Sequence, residues 1–227
     1  MRLVCCVCAL LLGLAASGQR PKTYTVPAGV EVNDVVPQKE IFQYPNFIQG
    51  IVIFRDGTSA PGKLNYNRMV AELQFIDPKG DTLSLANEKN ILIALIGKDT
   101  FYYSQGYVRL LTSGQHLKIG ERIAFKEFIN KPGAYGLSSA TTATNNVSEL
   151  LNLRSQQLNV SQEVVLVKNT NYLLGDKFNG FVEADKNTVL RFLPDKRTEI
   201  EDFINKNKTN FNNAEDLVKL AKFINAL

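Results

Sequence analysis

The chain has 227 residues, with 26 lysines and arginines against 22 aspartates and glutamates and 44% apolar residues. The resulting charge of +4 is mild for the length and lacks the concentrated basic face that nucleic-acid binding requires. Three cysteines, one histidine and no tryptophan leave little material for thiolate, imidazole or indole-stacking chemistry.

Residues 1–18 read as a signal peptide. Arg2 gives a positive start, Leu3 to Leu14 is almost continuously apolar, and Ala15, Ala16, Ser17 and Gly18 suit a peptidase pocket. The apolar run is shorter than the roughly 18–20 residues that span a bilayer, so export is expected rather than anchoring. Cys5, Cys6 and Cys8 all lie in this segment. A mature chain beginning near Gln19 therefore has no disulfide, no thiolate and no Cys-ligated metal. No cysteine follows the small residues, so a lipid anchor through cysteine is not expected. Loss of Arg2 leaves 25 basic against 22 acidic residues, a charge of +3.

Residues 19–38 predict an extended N-terminal arm with one short strand, because Pro21, Pro27, Gly29 and Pro37 interrupt any periodic pattern. A β-rich domain is expected over 39–184. Ile51–Phe54 is followed by Asp56-Gly57, a hairpin signal. Met69 to Ile76 alternates, with Met69, Ala71, Leu73 and Phe75 on one side and Val70, Glu72, Gln74 and Ile76 on the other. Asp77-Pro78-Lys79-Gly80-Asp81 then turns the chain. Thr82–Leu85, Ile91–Ile96, Thr100–Tyr103, Tyr107–Leu111 and Arg122–Phe128 continue the series. The two-faced apolar run Ile91–Ile96 predicts a central strand. Residues 132–146, rich in Gly, Ser, Thr and Asn, predict a mobile loop, and 147–154 one or two helical turns. Glu163–Val167, Tyr172–Leu174 and Phe181–Val182 return to the sheet. From 185 to 227 the apolar period lengthens to that of helices. Asp185 and Asn212 or Asn213 are candidate caps, and Leu217, Leu220, Ala221 and Ile224 form one stripe. The fold class expected is α+β: an antiparallel meander curled into a sandwich or partial barrel, with two to three short C-terminal helices packed on it.

Gly50-Ile-Val-Ile-Phe-Arg-Asp-Gly57, Leu64-Asn-Tyr-Asn67, Phe75-Ile-Asp-Pro-Lys-Gly-Asp-Thr-Leu83 and Asn171-Tyr-Leu-Leu-Gly-Asp-Lys-Phe178 resemble markers of an uncharacterised family of exported Bacteroidota proteins. The resemblance covers most of the mature chain. It implies a periplasmic or secreted location and assigns no activity. Asp81-Thr82-Leu83 and Asp99-Thr100-Phe101 also resemble the Asp-Ser/Thr-apolar O-glycosylation sites of such proteins, which makes Thr82 and Thr100 candidate acceptors.

Catalytic constellations are weak. The single histidine, His116, sits in a turn-like Gly114-Gln115-His116-Leu117 and has no second histidine or cysteine with metal-ligand spacing. Gly136-Leu-Ser138-Ser-Ala140 lacks the closing glycine of a nucleophile elbow. Neither a catalytic residue, a metal ligand nor a cofactor site is assigned. Tyr102, Tyr103 and Tyr107 are candidates for an aromatic contact surface. The leading expectation is a non-enzymatic envelope protein that binds another envelope protein. One alternative is a carrier of an apolar ligand such as lipid in a β cavity, lined by Ile51–Phe54 and Ile91–Ile96. The other is a carboxylate-based hydrolase of glycan or peptide, which needs two acids converging in one cleft.

Overall fold

A computed structural model describes residues 21–132, 138–144 and 163–227. The signal peptide expected at 1–18 and the helical turns expected at 147–154 lie outside the described residues. Most of the short alternating runs pair with their neighbours in sequence, as in a meander, and three pairings join strands farther apart in the chain. The strands are β1 (Thr23–Val26), β2 (Ile48–Phe54), β3 (Ser59–Asn67), β4 (Glu72–Ile76), β5 (Thr82–Ser84), β6 (Ile91–Ile96), β7 (Asp99–Tyr103), β8 (Tyr107–Thr112), β9 (Lys118–Pro132), β10 (Ser138–Thr144), β11 (Val164–Gly175) and β12 (Phe181–Glu183). They form one sheet in the order β1-β11-β9-β8-β7-β6-β2-β3-β4-β5, with β10 on β9 and β12 on β11. Every pairing is antiparallel. The α+β class is as the sequence predicts.

The sheet rolls into an unclosed barrel. In the sheet order β3 and β9 are separated by β2, β6, β7 and β8, yet their edges meet. The Tyr66 hydroxyl donates to the Ile123 carbonyl at 3.1 Å, and the Phe125 amide donates to the Arg68 carbonyl at 3.2 Å. These bonds form a seam, with no full ladder behind it. Inside, Val52, Leu64, Tyr66, Leu73, Ile91, Ala94, Ile96, Phe101 and Tyr107 make one buried cluster. Gly50 is required where β2 crosses β6: a Cβ there would lie 2.6 Å from the Leu95 carbonyl.

β3 was not legible, because Pro61 and Gly62 read as punctuation. The Phe54 amide bonds the Thr58 carbonyl, and with the register Ile51↔Pro61 this places residue 61 at a non-bonded pair. The position of the missing N–H faces away from β2, on a stretch of β3 that β4 does not reach, since β4 pairs only with Leu64–Asn67. Proline is tolerated there.

Two expectations are corrected. The N-terminal arm holds the one short strand expected but is not extended throughout: Val26, Val32 and Val36 are fully buried with Ile41, Met69, Phe125, Val164 and Leu166. β1 pairs with β11, and two short helices, α1 (Val32–Val35) and α2 (Gln38–Ile41), follow it. Their apolar residues fall at irregular intervals, which no periodicity test detects. Within the expected loop at 132–146, Ser138–Thr144 is strand β10, paired with β9 and bulged between Ala140 and Ala143. Threonine favours extended backbone, and pairing on β9 supplies the hydrogen bonds.

The C-terminal helices are α3 (Lys186–Phe192), α4 (Arg197–Asn207) and α5 (Ala214–Ile224). Asp185 caps α3 by accepting from the Thr188 amide, and Asn213 caps α5 by accepting from the Asp216 amide. The stripes of all three bury Val189, Leu190, Ile200, Leu217, Leu220, Ala221 and Ile224 against Leu117 and Ile119 of the β9 segment and Leu174 of β11. Among the described residues no helix is long and apolar enough to cross a membrane.

Candidate binding cleft

The interior of the barrel is packed with aromatic side chains. Tyr66 lies against Phe101 with ring centroids 5.5 Å apart, and Tyr107 against Tyr66 at 6.2 Å and Tyr103 at 5.2 Å. These rings fill the space that an apolar ligand would need. The void left among Gln43, Tyr66, Phe101, Tyr107, Arg109, Glu121 and Ile123 is about 10 Å³, room for one water at most. Polar groups there serve one another. Arg109 donates to Glu121 through Nε at 2.9 Å and to Asp99 at 3.2 Å, and the Tyr44 hydroxyl donates to the other Asp99 oxygen at 2.6 Å. Asp99 and buried Phe101 are thus held within the fold, and the candidate acceptor Thr100 between them is half-buried on β7.

The three candidate tyrosines do not form one surface. Tyr102 faces away from the barrel, where its ring meets Phe181 at 5.4 Å and Lys118 Nζ lies 5.5 Å above it. Tyr107 is 2% exposed and belongs to the core. Only Tyr103 reaches a cleft. Alternation along a strand sends neighbouring side chains to opposite faces, which divides Tyr102 from Tyr103.

That cleft, about 1080 Å³ and open to solvent, lies between α1–α2 and the β4–β5 hairpin. Its wall is built by pairing. Register places Asn67 opposite Glu72 and Gln74 opposite Ser84, so these side chains share one face. Asn67 Nδ2 donates to Gln74 Oε1 at 3.2 Å, Gln74 Nε2 to Ser84 Oγ at 3.4 Å, and Ser84 Oγ to Glu72 Oε2. Asn67 Oδ1 also accepts from the Met69 and Val70 amides, fixing the turn into β4. Asn33 and Gln38 line the opposite wall, while Asn87, Glu88, Lys89, Asn90 and Tyr103 complete one end. Burial pushes the Glu88 carboxyl above its usual range, the Tyr103 hydroxyl draws it partly back, and Glu72 pushes it up again.

Comparison with protein-family models, curated proteins and solved structures gives no match. The cleft is therefore read from its own chemistry. Side-chain amides and hydroxyls both donate and accept, and the Glu72 carboxylate adds an acceptor, so this wall suits a ligand rich in hydrogen-bonding groups. Among the described residues no group of three or more His, Cys, Asp or Glu side chains is placed to hold a metal ion.

Glu72 and Gln74 were legible as the polar side of an alternating run. Asn67 and Ser84 carry no local functional signal, although the Asp77–Asp81 turn places Ser84 beside Gln74. Asn33 and Gln38 carried no signal, because the packing of the arm decides where they stand. Thr82 lies on β5 and lines the cleft.

Proposed function

We propose that this protein is an exported, non-enzymatic binding module of a cell envelope, and that it takes a ligand rich in hydrogen-bonding groups in the cleft beside β4 and β5. The observation that carries the reading is the ladder Asn67–Gln74–Ser84–Glu72 forming a wall of the 1080 Å³ cleft. The signal at 1–18 and the resemblance to exported Bacteroidota proteins support the location. The filled barrel interior weighs against a lipid carrier, since an acyl chain needs far more volume than one water.

Titration of the exported protein with chitotetraose, cellotetraose and uncharged heptapeptides, followed by side-chain amide NMR, tests the reading. Shifts at Gln74 and Asn67 are expected. Gln74→Ala should weaken binding about tenfold, the value of one or two lost hydrogen bonds. Shifts confined to residues outside the cleft would overturn the assignment.

A second reading has one observation behind it. Glu72 and Glu88 both line the cleft, as hydrolysis by paired carboxylates requires. New reducing ends or new amines from a glycan and peptide panel, abolished by Glu88→Gln, would favour it over simple binding.

A further inference from the structure

We infer that the ligand is an extended peptide segment of a partner protein, which adds as a further strand to the free edge of β5. This rests on the reading of the cleft as the binding site and names its substrate class.

The direction of the backbone groups carries the inference. The Leu85 amide bonds the Leu73 carbonyl, and the Asp77 amide bonds the Asp81 carbonyl. With the register Gln74↔Ser84, Phe75↔Leu83, Ile76↔Thr82, the bonded pairs of the antiparallel ladder alternate. Leu83 turns its N–H and C=O toward β4. Thr82 and Ser84 turn theirs away from it. β5 is the last strand in the sheet order, so those outward groups meet no other strand among the described residues. A row of unpaired donors and acceptors at strand spacing is matched by the backbone of another extended chain. A sugar has no such repeat.

Proteins usually guard such edges with proline, lysine or inward charge. The strand at the opposite end of the sheet, β1, is bracketed by Pro21 and Pro27. β5 is short, at three residues, but the run Thr82-Leu83-Ser84-Leu85-Ala86-Asn87 contains neither charge nor proline. Leu83 is 45% exposed, an apolar contact for the partner on the face opposite the polar ladder. Thr82, Leu83, Ser84, Leu85 and Ala86 all line the cleft, so an added strand enters the same volume that the amide side chains serve. On the ladder face, the partner's alternate side chains meet Gln74 and Ser84. Small polar or amide side chains fit there.

The test uses a phage-displayed random heptapeptide library panned against the exported protein, with enriched sequences resynthesised as free peptides. Each peptide bond is N-methylated in turn. Strand addition predicts losses of about tenfold or more at every second bond and little change between them, because only alternate N–H groups face the edge. Thr82→Pro removes one outward N–H without touching the β4 ladder and should weaken binding by a similar factor. If this variant does not fold, the methylation scan on the unmodified protein still decides.

Losses without alternation, or wild-type affinity in a folded Thr82→Pro variant, would overturn the inference. So would failure to enrich any peptide. If oligosaccharides bind and peptides do not, strand addition fails while the cleft stands. If Thr82→Pro abolishes peptide binding and Gln74→Ala leaves it unchanged, the edge stands and the amide-lined cleft does not.

Discussion

Glu40 shows how one carboxylate ties distant segments together. It sits on α2, is 5% exposed, and accepts from Lys22 beside β1 and from Lys168 of β11 at 2.7 Å. Hydrogen bonds from Lys168 and then Lys22 hold its pKa at about 2, below an ordinary 4.5. A depressed carboxylate stabilises the fold fully above its unfolded pKa, and the contribution is lost as pH falls toward the folded value. Glu40→Gln should cost about 1–3 kcal/mol at neutral pH in urea denaturation, and the gap from wild type should close between pH 4.5 and 2. Glu127 is the opposite case. It is 1% exposed, and its Oε2 has no hydrogen-bond partner among the described residues. Burial raises its pKa, so the charged form weakens the fold as pH rises through that raised value. Glu127→Gln should gain about 1 kcal/mol at neutral pH, with the gain fading in acid. Neither environment was legible: both glutamates stand in ordinary polar contexts, and only tertiary neighbours separate them.

At the scale of elements, the docking of α5 is the contact with the plainest consequence. Asn225 follows α5; its Oδ1 accepts from the His116 and Leu117 amides at 2.8 and 2.9 Å, and its Nδ2 donates to the Leu117 carbonyl at 2.9 Å. The same side chain fills the space that a Cβ on Gly114 would take, with atoms 2.1–2.5 Å away. Gly114 therefore makes room for the helix end. Asn225→Ala should cost about 1–3 kcal/mol and raise amide exchange along α5 more than along β6. Gly114→Ala should do the same by steric conflict. The sole histidine thus enters a structural contact through its backbone. The helices themselves were legible, because caps at Asp185 and Asn213 and a 3.6-residue stripe are local signals. Their docking partner, the stretch before β9, lies about a hundred residues away in sequence.

For the whole molecule, the seam between β3 and β9 decides whether the sheet is a barrel or an open ribbon. Arg68 stands at this seam. It is 8% exposed and donates to the carbonyls of Lys39 at 2.9 Å and Phe42 at 2.5 Å and to the Gln43 side chain. Its own carbonyl receives Phe125. Burial lowers its pKa, with Glu40 and Glu121 opposing. Arg68→Met should cost about 3 kcal/mol by leaving those acceptors unpaired, and exchange protection should fall first at Phe125. Tyr66→Phe, which removes only the bond to Ile123, should cost about 1 kcal/mol.

The sequence by itself determined the antiparallel meander, its hairpin turns, the central place of Ile91–Ile96 and the capped C-terminal helices. Each depends on residues adjacent along the chain, where side-chain period and turn chemistry act. Tertiary structure alone decided three things: that the arm is part of the core, that the barrel is filled by Tyr66, Phe101 and Tyr107, and that Thr82 and Ser84 turn their backbone groups away from β4, where no other described strand pairs with them. Those depend on which strands meet across long separations, and on a pairing phase that alternates along β5. Composition carries no record of either.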